Sequence, residues 1–263
     1  SSAAYASILP SRATMAERAA SWLPGALAAP SVLSTPAERL PWMLRAASRL
    51  GGAAGQAPAW RTLGLAAAAK LPGRLSTYTC AELAGALRAL AGMNATTDAL
   101  IDATAAKLLE RLGGCCTRGL LDAFSAAVSL GRGRAEALRG GVAAALPARL
   151  RDCGESDLSS LLKLSSRAGG SDTALVDAIE LEIMSRAAHM SGAALADSLS
   201  SLTALGRPLA AGLEEHLAAA VSTLSGPGLC EALQTLARVG SSEGAAAQEI
   251  RRRLPARLGE LGH

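Results

Sequence analysis

Arginine is the residue type in this chain whose spacing carries chemistry. Arg74, Arg111, Arg149 and Arg186 each stand nine residues before a leucine, namely Leu83, Leu120, Leu158 and Leu195. Arg257 sits at the matching place in a repeated Leu-Pro phrase, and Ala220, nine residues before Leu229, breaks the series. A guanidinium presents a planar fork of donors that fits phosphate oxygens. Arginines at a fixed interval are therefore a candidate phosphate-binding row. Arg132, Arg134 and Arg139, in and after the turn at Gly131, add to it. The same row admits a structural use. Each leucine-bearing segment holds an acid near its start, Glu82, Asp122, Asp157, Asp197 or Glu231. An arginine paired with its own hairpin's acid would hold two helices at their junction. Both uses stand open on the sequence.

Other chemistry is sparse. His189, His216 and His263 lie far apart, with no Cys, Asp or Glu at ligand spacing on a shared face, so no metal site is expected. The five cysteines, Cys80, Cys115, Cys116, Cys153 and Cys230, include no CxxC spacing. An odd number without that spacing reads as free thiols in a reducing compartment. No GxSxG, HExxH or GxxxxGK[ST] phrase occurs, and Gly131-Arg132-Gly133 reads as a turn. Glu180 and Glu182 read as a solvated helix face. The chain is expected to be no enzyme, with no catalytic residues, cofactor or small-molecule substrate.

The elements that must position the arginines repeat. Six segments share one pattern: Leu, small or apolar residues at +3, +4, +7 and +10, and Gly or Asn at +11. They run Leu40–Gly51, Leu83–Asn94, Leu120–Gly131, Leu158–Gly169, Leu195–Gly206 and Leu229–Gly240. That spacing is one stripe of an α-helix, and its last residue is the type that tolerates a left-handed conformation past a helix end. The first leucines are 43, 37, 38, 37 and 34 residues apart. Between these B-type helices lie A-type patterns such as Thr97–Leu112, Ser171–Ala187 and Pro208–Leu224. Ser171 and Asp172 suit N-caps, and Pro208 suits a first turn. Leu71-Pro72, Leu146-Pro147 and Leu254-Pro255, with a fainter Leu23-Pro24, predict A-type helices that bend or stop near the proline. One hairpin cannot bury both faces, so neighbours must stack. The expected fold is all-α: a right-handed α-solenoid of about six two-helix repeats of about 37 residues. A further A-type helix, Ala245–Leu258, either caps the array or precedes more chain.

Composition agrees. Half of the 263 residues are hydrophobic, but only six are aromatic, so Ala and Leu carry the core. No apolar run approaches the roughly 20 residues of a membrane span, and no membrane partner is expected. Of the 26 basic residues 23 are Arg, which suits phosphate recognition and equally suits GC-rich codon use. Residues 1–150 hold 16 basic and 8 acidic groups, and residues 151–263 hold 10 and 14. The first half is the better candidate for an anionic partner. Residues 1–34 read as an N-terminal segment with one partial helix, and residues 35–263 as the array. Ser1–Ala16, with Arg12, several Ser and Ala and no acid before Glu17, resembles the end of an organellar transit peptide.

The phrases Glu82-Leu83-Ala84-Gly85-Ala86-Leu87-Arg88-Ala89-Leu90-Ala91 and Leu229-Cys230-Glu231-Ala232-Leu233-Gln234-Thr235-Leu236-Ala237-Arg238-Val239-Gly240 resemble the recurring helix of octatricopeptide repeat proteins. They are similar also to the heptatricopeptide-type repeats of FAST-kinase-like, RAP-associated proteins. The similarity spans roughly residues 37–260. The tryptophan of that helix is absent here, so no set of base-reading residues transfers. The resemblance implies organellar RNA binding, most simply by a structural subunit of the mitochondrial ribosome that contacts ribosomal RNA. It implies ribosomal or organellar proteins as further partners, and the mitochondrial matrix, or alternatively the chloroplast stroma, as compartment. The competing expectation is a protein–protein scaffold whose groove holds a peptide or subunit.

Overall fold

The computed structural model describes residues 39–41, 43–45, 58–131, 133–208 and 212–258. The N-terminal segment, with its transit-peptide-like stretch and Leu23-Pro24, lies outside them, as do Arg132, Gly51 and His263. Among the described residues from Pro58 onward there are eleven α-helices and no strand. They are α1 (Pro58–Lys70), α2 (Cys80–Gly92), α3 (Asp98–Glu110), α4 (Thr117–Leu130), α5 (Glu136–Ala145), α6 (Glu155–Arg167), α7 (Thr173–Arg186), α8 (Gly192–Ala204), α9 (Leu213–Ala220), α10 (Gly226–Arg238) and α11 (Ala245–Leu258). Two compact units divide the chain, Ser1–Val142 and Ala143–His263, and the boundary falls within α5.

The B-type stripes fall on α2, α4, α6, α8 and α10. Their apolar residues form the core together with those of the A-type helices, such as Ile101, Leu138 and Ile179. Leu83, Leu87 and Leu90 of α2 are buried, as are Leu120, Ala123 and Phe124 of α4. So are Leu158, Leu161 and Leu162 of α6, Leu195, Leu199 and Leu202 of α8, and Leu229, Ala232 and Leu236 of α10. In the first unit α2 packs on α4. In the second, α6 packs on α8 and α8 on α10, while α9 packs on α11. Small residues permit this closeness: a Cβ on Gly119 of α4 would stand 3.2 Å from the Ala81 backbone of α2. Each of these five stripes ends where expected. Asn94, Gly131, Gly169, Gly206 and Gly240 all have positive φ, between 50° and 84°. Asn94 is the one non-glycine residue with positive φ among the described residues.

The A-type helices end less uniformly. α1 stops at Lys70 and α5 at Ala145, and a 3-10 turn begins at Pro72 and at Pro147, as the Leu-Pro phrases predict. α11 departs from that expectation, because it continues through Pro255 to Leu258. Pro208 also departs. It precedes the helix rather than opening it, because α9 starts at Leu213 behind Gly212, whose φ is 90°. Asp172 is at the N-cap position of α7, and Ser171 lies before it.

Candidate functional site

The A-to-B junction recurs with one backbone design. Each A-type helix that leads into a B-type helix gives way to a 3-10 turn: Pro72–Arg74, Leu112–Gly114, Pro147–Asp152, Ala187–His189 or Val221–Thr223. Before the B-type helix comes a buried residue, Tyr78, Cys115, Cys153, Met190 or Leu224. It is followed by an extended N-cap, Thr79, Cys116, Gly154, Ser191 or Ser225. Thr79, Ser191 and Ser225 accept a backbone N–H through their hydroxyls, which satisfies an otherwise open helix end. Thr79 and Glu82 form a reciprocal capping box.

The arginine row lies at the start of this junction, and it splits into two kinds. Arg111 and Arg186 end α3 and α7 with nearly the same backbone, φ −115° and −113°. Each reaches back to the preceding junction. Arg111 donates to the carbonyls of Tyr78 (2.6 Å) and Ser76 (3.0 Å). Arg186 donates to those of Cys153 (2.8 Å), Arg151 (2.9 Å) and Leu150 (3.3 Å). The main acceptors lie 33 and 35 residues back in both cases. Arg186 also pairs with Glu182, one turn earlier on α7, so Glu182 is not the solvated acid the sequence suggested. These two arginines staple neighbouring hairpins through backbone oxygens and do not use their own hairpin's acid.

Arg74 and Arg149 are different. Each lies inside a proline-initiated 3-10 turn and is exposed. No hydrogen bond or ion pair joins either side chain to another described residue. Leu-Pro two or three residues upstream ends the α-helix early, so the arginine falls within the turn and not at the helix cap. The remaining candidates scatter. Arg134 pairs with Asp98 at 2.5 Å, and Arg139 is nearly buried and pairs with Glu136. Arg257 is in α11, and its side chain lies outside the described residues. Nearby on α11, Glu249 receives Arg252 and Arg253, and the bond from Arg252 leads in holding its carboxyl down at about 2.

Three of the acids that were to meet the row serve elsewhere. Glu82 and Asp157 cap their own helices. Asp122, 2% exposed, meets Arg45 at 2.6 Å, Arg88 at 3.3 Å and Arg118 at 3.5 Å. A buried carboxylate requires such compensation. Gly85 makes room for it: a Cβ there would stand 3.0 Å from Nε of Arg45. These three arginines were missed in sequence. Arg45 and Arg88 share one register position, five residues past Leu40 and Leu83, and that is the signal by which two of them are readable.

The cysteines correct the sequence reading. Cys80 and Cys115, 35 positions apart in sequence, form a disulfide with Cα atoms 5.5 Å apart. Cys116 is exposed, Cys230 half-buried and Cys153 buried, all as free thiols. Burial first, then the Asp157 charge, pushes the Cys153 thiol up to about 11. Burial likewise raises the Tyr78 phenol, against the lowering effect of Arg74. No group of three or more metal-type side chains occurs among the described residues. No helix described is long and apolar enough to cross a membrane. In the second unit, a shallow groove of about 800 Å³ lies between the Pro147–Asp152 turn and α7. Arg151, Ser185 and Leu181 line it, and Leu181 is 73% exposed. No protein-family model matches the chain, and no curated protein matches it in sequence.

Proposed function

We propose that the chain is an RNA-binding α-solenoid of the octatricopeptide kind, working in an organelle as a structural subunit of the mitochondrial ribosome. The observation that carries this reading is the split of the arginine row. Arg111 and Arg186 hold the fold, while Arg74 and Arg149 repeat the same register with their guanidinium groups in solvent. A guanidinium with no hydrogen-bond or ion-pair partner among the described residues keeps its fork for phosphate oxygens. The Asp122 cluster and the basic first half add a favourable field for a polyanion. RNA contacts are therefore assigned first to Arg74 and Arg149, with Arg132 and Arg257 as further members of the set. Stacking of α6 on α8 and of α8 on α10 supports the solenoid part of this reading.

The test is anisotropy of a labelled mixed-sequence single-stranded RNA, titrated across salt. Binding should weaken as salt rises, with a log–log slope of several. Arg74→Ala with Arg149→Ala should reduce that slope by about two and leave the melting profile unchanged. A slope near zero for the unaltered chain would sink the reading. The groove at Leu181 favours a second reading, a scaffold that docks a partner protein there. Co-purification resistant to nuclease and lost on Leu181→Ser would support it.

A further inference from the structure

We propose that Cys80 and Cys115 form a reversible, redox-responsive staple that sets the rigidity of the α2–α4 seam. The geometry carries it. The two residues enter the same junction from neighbouring hairpins, Cys80 as the first residue of α2 and Cys115 as the buried residue before α4. Their Cα separation of 5.5 Å lies in the ordinary range for a bridge. Other ties hold the same two segments. Arg111 binds the Ser76 and Tyr78 carbonyls just before Cys80, and Gly119 lets α4 approach Ala81 just after it. The thiols therefore stay in register when the bridge opens, and the bridge can close again without refolding.

The second unit shows that this tie need not be covalent. Glu155 occupies the register of Cys80 there, and its carboxylate accepts the Ser191 N–H at 2.7 Å across 36 residues. One seam further on, Gly192 donates to the Thr223 hydroxyl at 3.1 Å. Among the described seams the α2–α4 seam alone has a tie that a change of redox poise can make or break.

The co-reactant is a low-molecular-weight disulfide such as oxidised glutathione. The Cys80 thiolate attacks one of its sulfurs and expels one small thiolate. The Cys115 thiolate then attacks the Cys80 sulfur of the mixed disulfide and expels the second. One protein S–S bond forms and one small-molecule S–S bond breaks. Two electrons pass to the glutathione, and the two thiol protons end on its two reduced molecules. Reduction runs the same steps backwards.

The experiment equilibrates the full chain in glutathione buffers from fully reducing to fully oxidising. Free thiols are then alkylated, and the peptides are mapped by mass. The oxidised chain should alkylate at Cys116, Cys153 and Cys230 and yield one linked Cys80–Cys115 peptide. The reduced chain should alkylate at all five cysteines. Amide exchange at residues 76–80 and 111–115 should slow on oxidation, on the order of tenfold or more. Cys80→Ser should show the faster exchange in every buffer and stay folded. Five free thiols under all conditions, or a link to Cys116, overturns the proposal. So does equal exchange in both states. Unfolding of the first unit on reduction, or of Cys80→Ser, also overturns it, by making the bridge a permanent fixture.

Discussion

The seam between α2 and α4 and the seam between α6 and α8 solve one problem with two chemistries. Both bring an A-to-B junction against its predecessor, and both use an arginine to catch backbone carbonyls 33 and 35 residues back. Beside that staple the first unit places the Cys80–Cys115 bridge, and the second places the bond from Ser191 N–H to Glu155. A third seam lacks the arginine. At Ala220 the chains come so close that a Cβ on Gly192 would stand 2.6 Å from the Ala220 carbonyl oxygen, and Thr223 fills the gap. The repeat thus fixes a place for a tie and leaves its chemistry free. That freedom lets the two units differ in charge. The first holds 15 basic against 8 acidic residues, the second 11 against 14. The basic unit is also the one that binds its buried carboxylate with arginines.

The largest effect is expected where that difference is deepest. Asp122→Ala removes a buried carboxylate shared by three arginines, which then face one another without it. Breaking a buried ion pair from one side costs about 3–5 kcal/mol. Arg45, Arg88 and Arg118 are 29–51% exposed, and water relieves part of that loss. The cost should be about 2–3 kcal/mol, read as faster amide exchange in α2 and α4 and a lower denaturation midpoint. Next comes the staple. Arg186→Ala deletes bonds to three carbonyls and to Glu182, and Arg111→Ala deletes bonds to two. Arg186→Ala should therefore cost more, about 2 kcal/mol, and Arg111→Ala about 1 kcal/mol while the bridge is closed. Equal costs would show that the staples are alike and that the bridge adds nothing to the first.

The repeat was legible because its signals are local. Stripe spacing and a terminal Gly or Asn reflect one helix and one left-handed residue, and all five described ends carry positive φ. The arginine row was legible as a register, but its partners were not. An acceptor that is a backbone carbonyl leaves no trace in residue type, so the row drew attention to nearby acids, of which Glu82 and Asp157 cap helices and Asp122 meets other arginines. The Cys80–Cys115 pair was missed for a related reason. A spacing of 35 is no cysteine motif, and it becomes a contact only after the chain has folded back by one repeat. Pro255 failed as a stop signal, since α11 carries on past it.

A smaller effect tests whether hydrogen bonding in the second unit is worth less than the bridge in the first. Glu155→Gln keeps an acceptor oxygen but loses its charge, and should cost about 0.5–1 kcal/mol. The ratio of amide-exchange rates at Ser191 between variant and parent measures it. A cost above that of opening the Cys80–Cys115 bridge would reverse the ranking.

The smallest effect is confined to alkaline solution. Cys153 stands at the register of Cys115, but as a buried thiol pushed up to about 11 from an ordinary 9.0. Folding favours its protonated form. Between pH 9 and 11 the unfolded chain releases this proton before the folded chain does, so stability falls as pH rises through that window. Below pH 9 the thiol is protonated in both states and contributes no slope. Cys153→Ala has no such proton to lose. The stability gap between parent and variant should shrink by about 1–2 kcal/mol from pH 9 to 11, while both curves share every other titration. A gap that stays constant would mean that the site is wet enough to ionise in place.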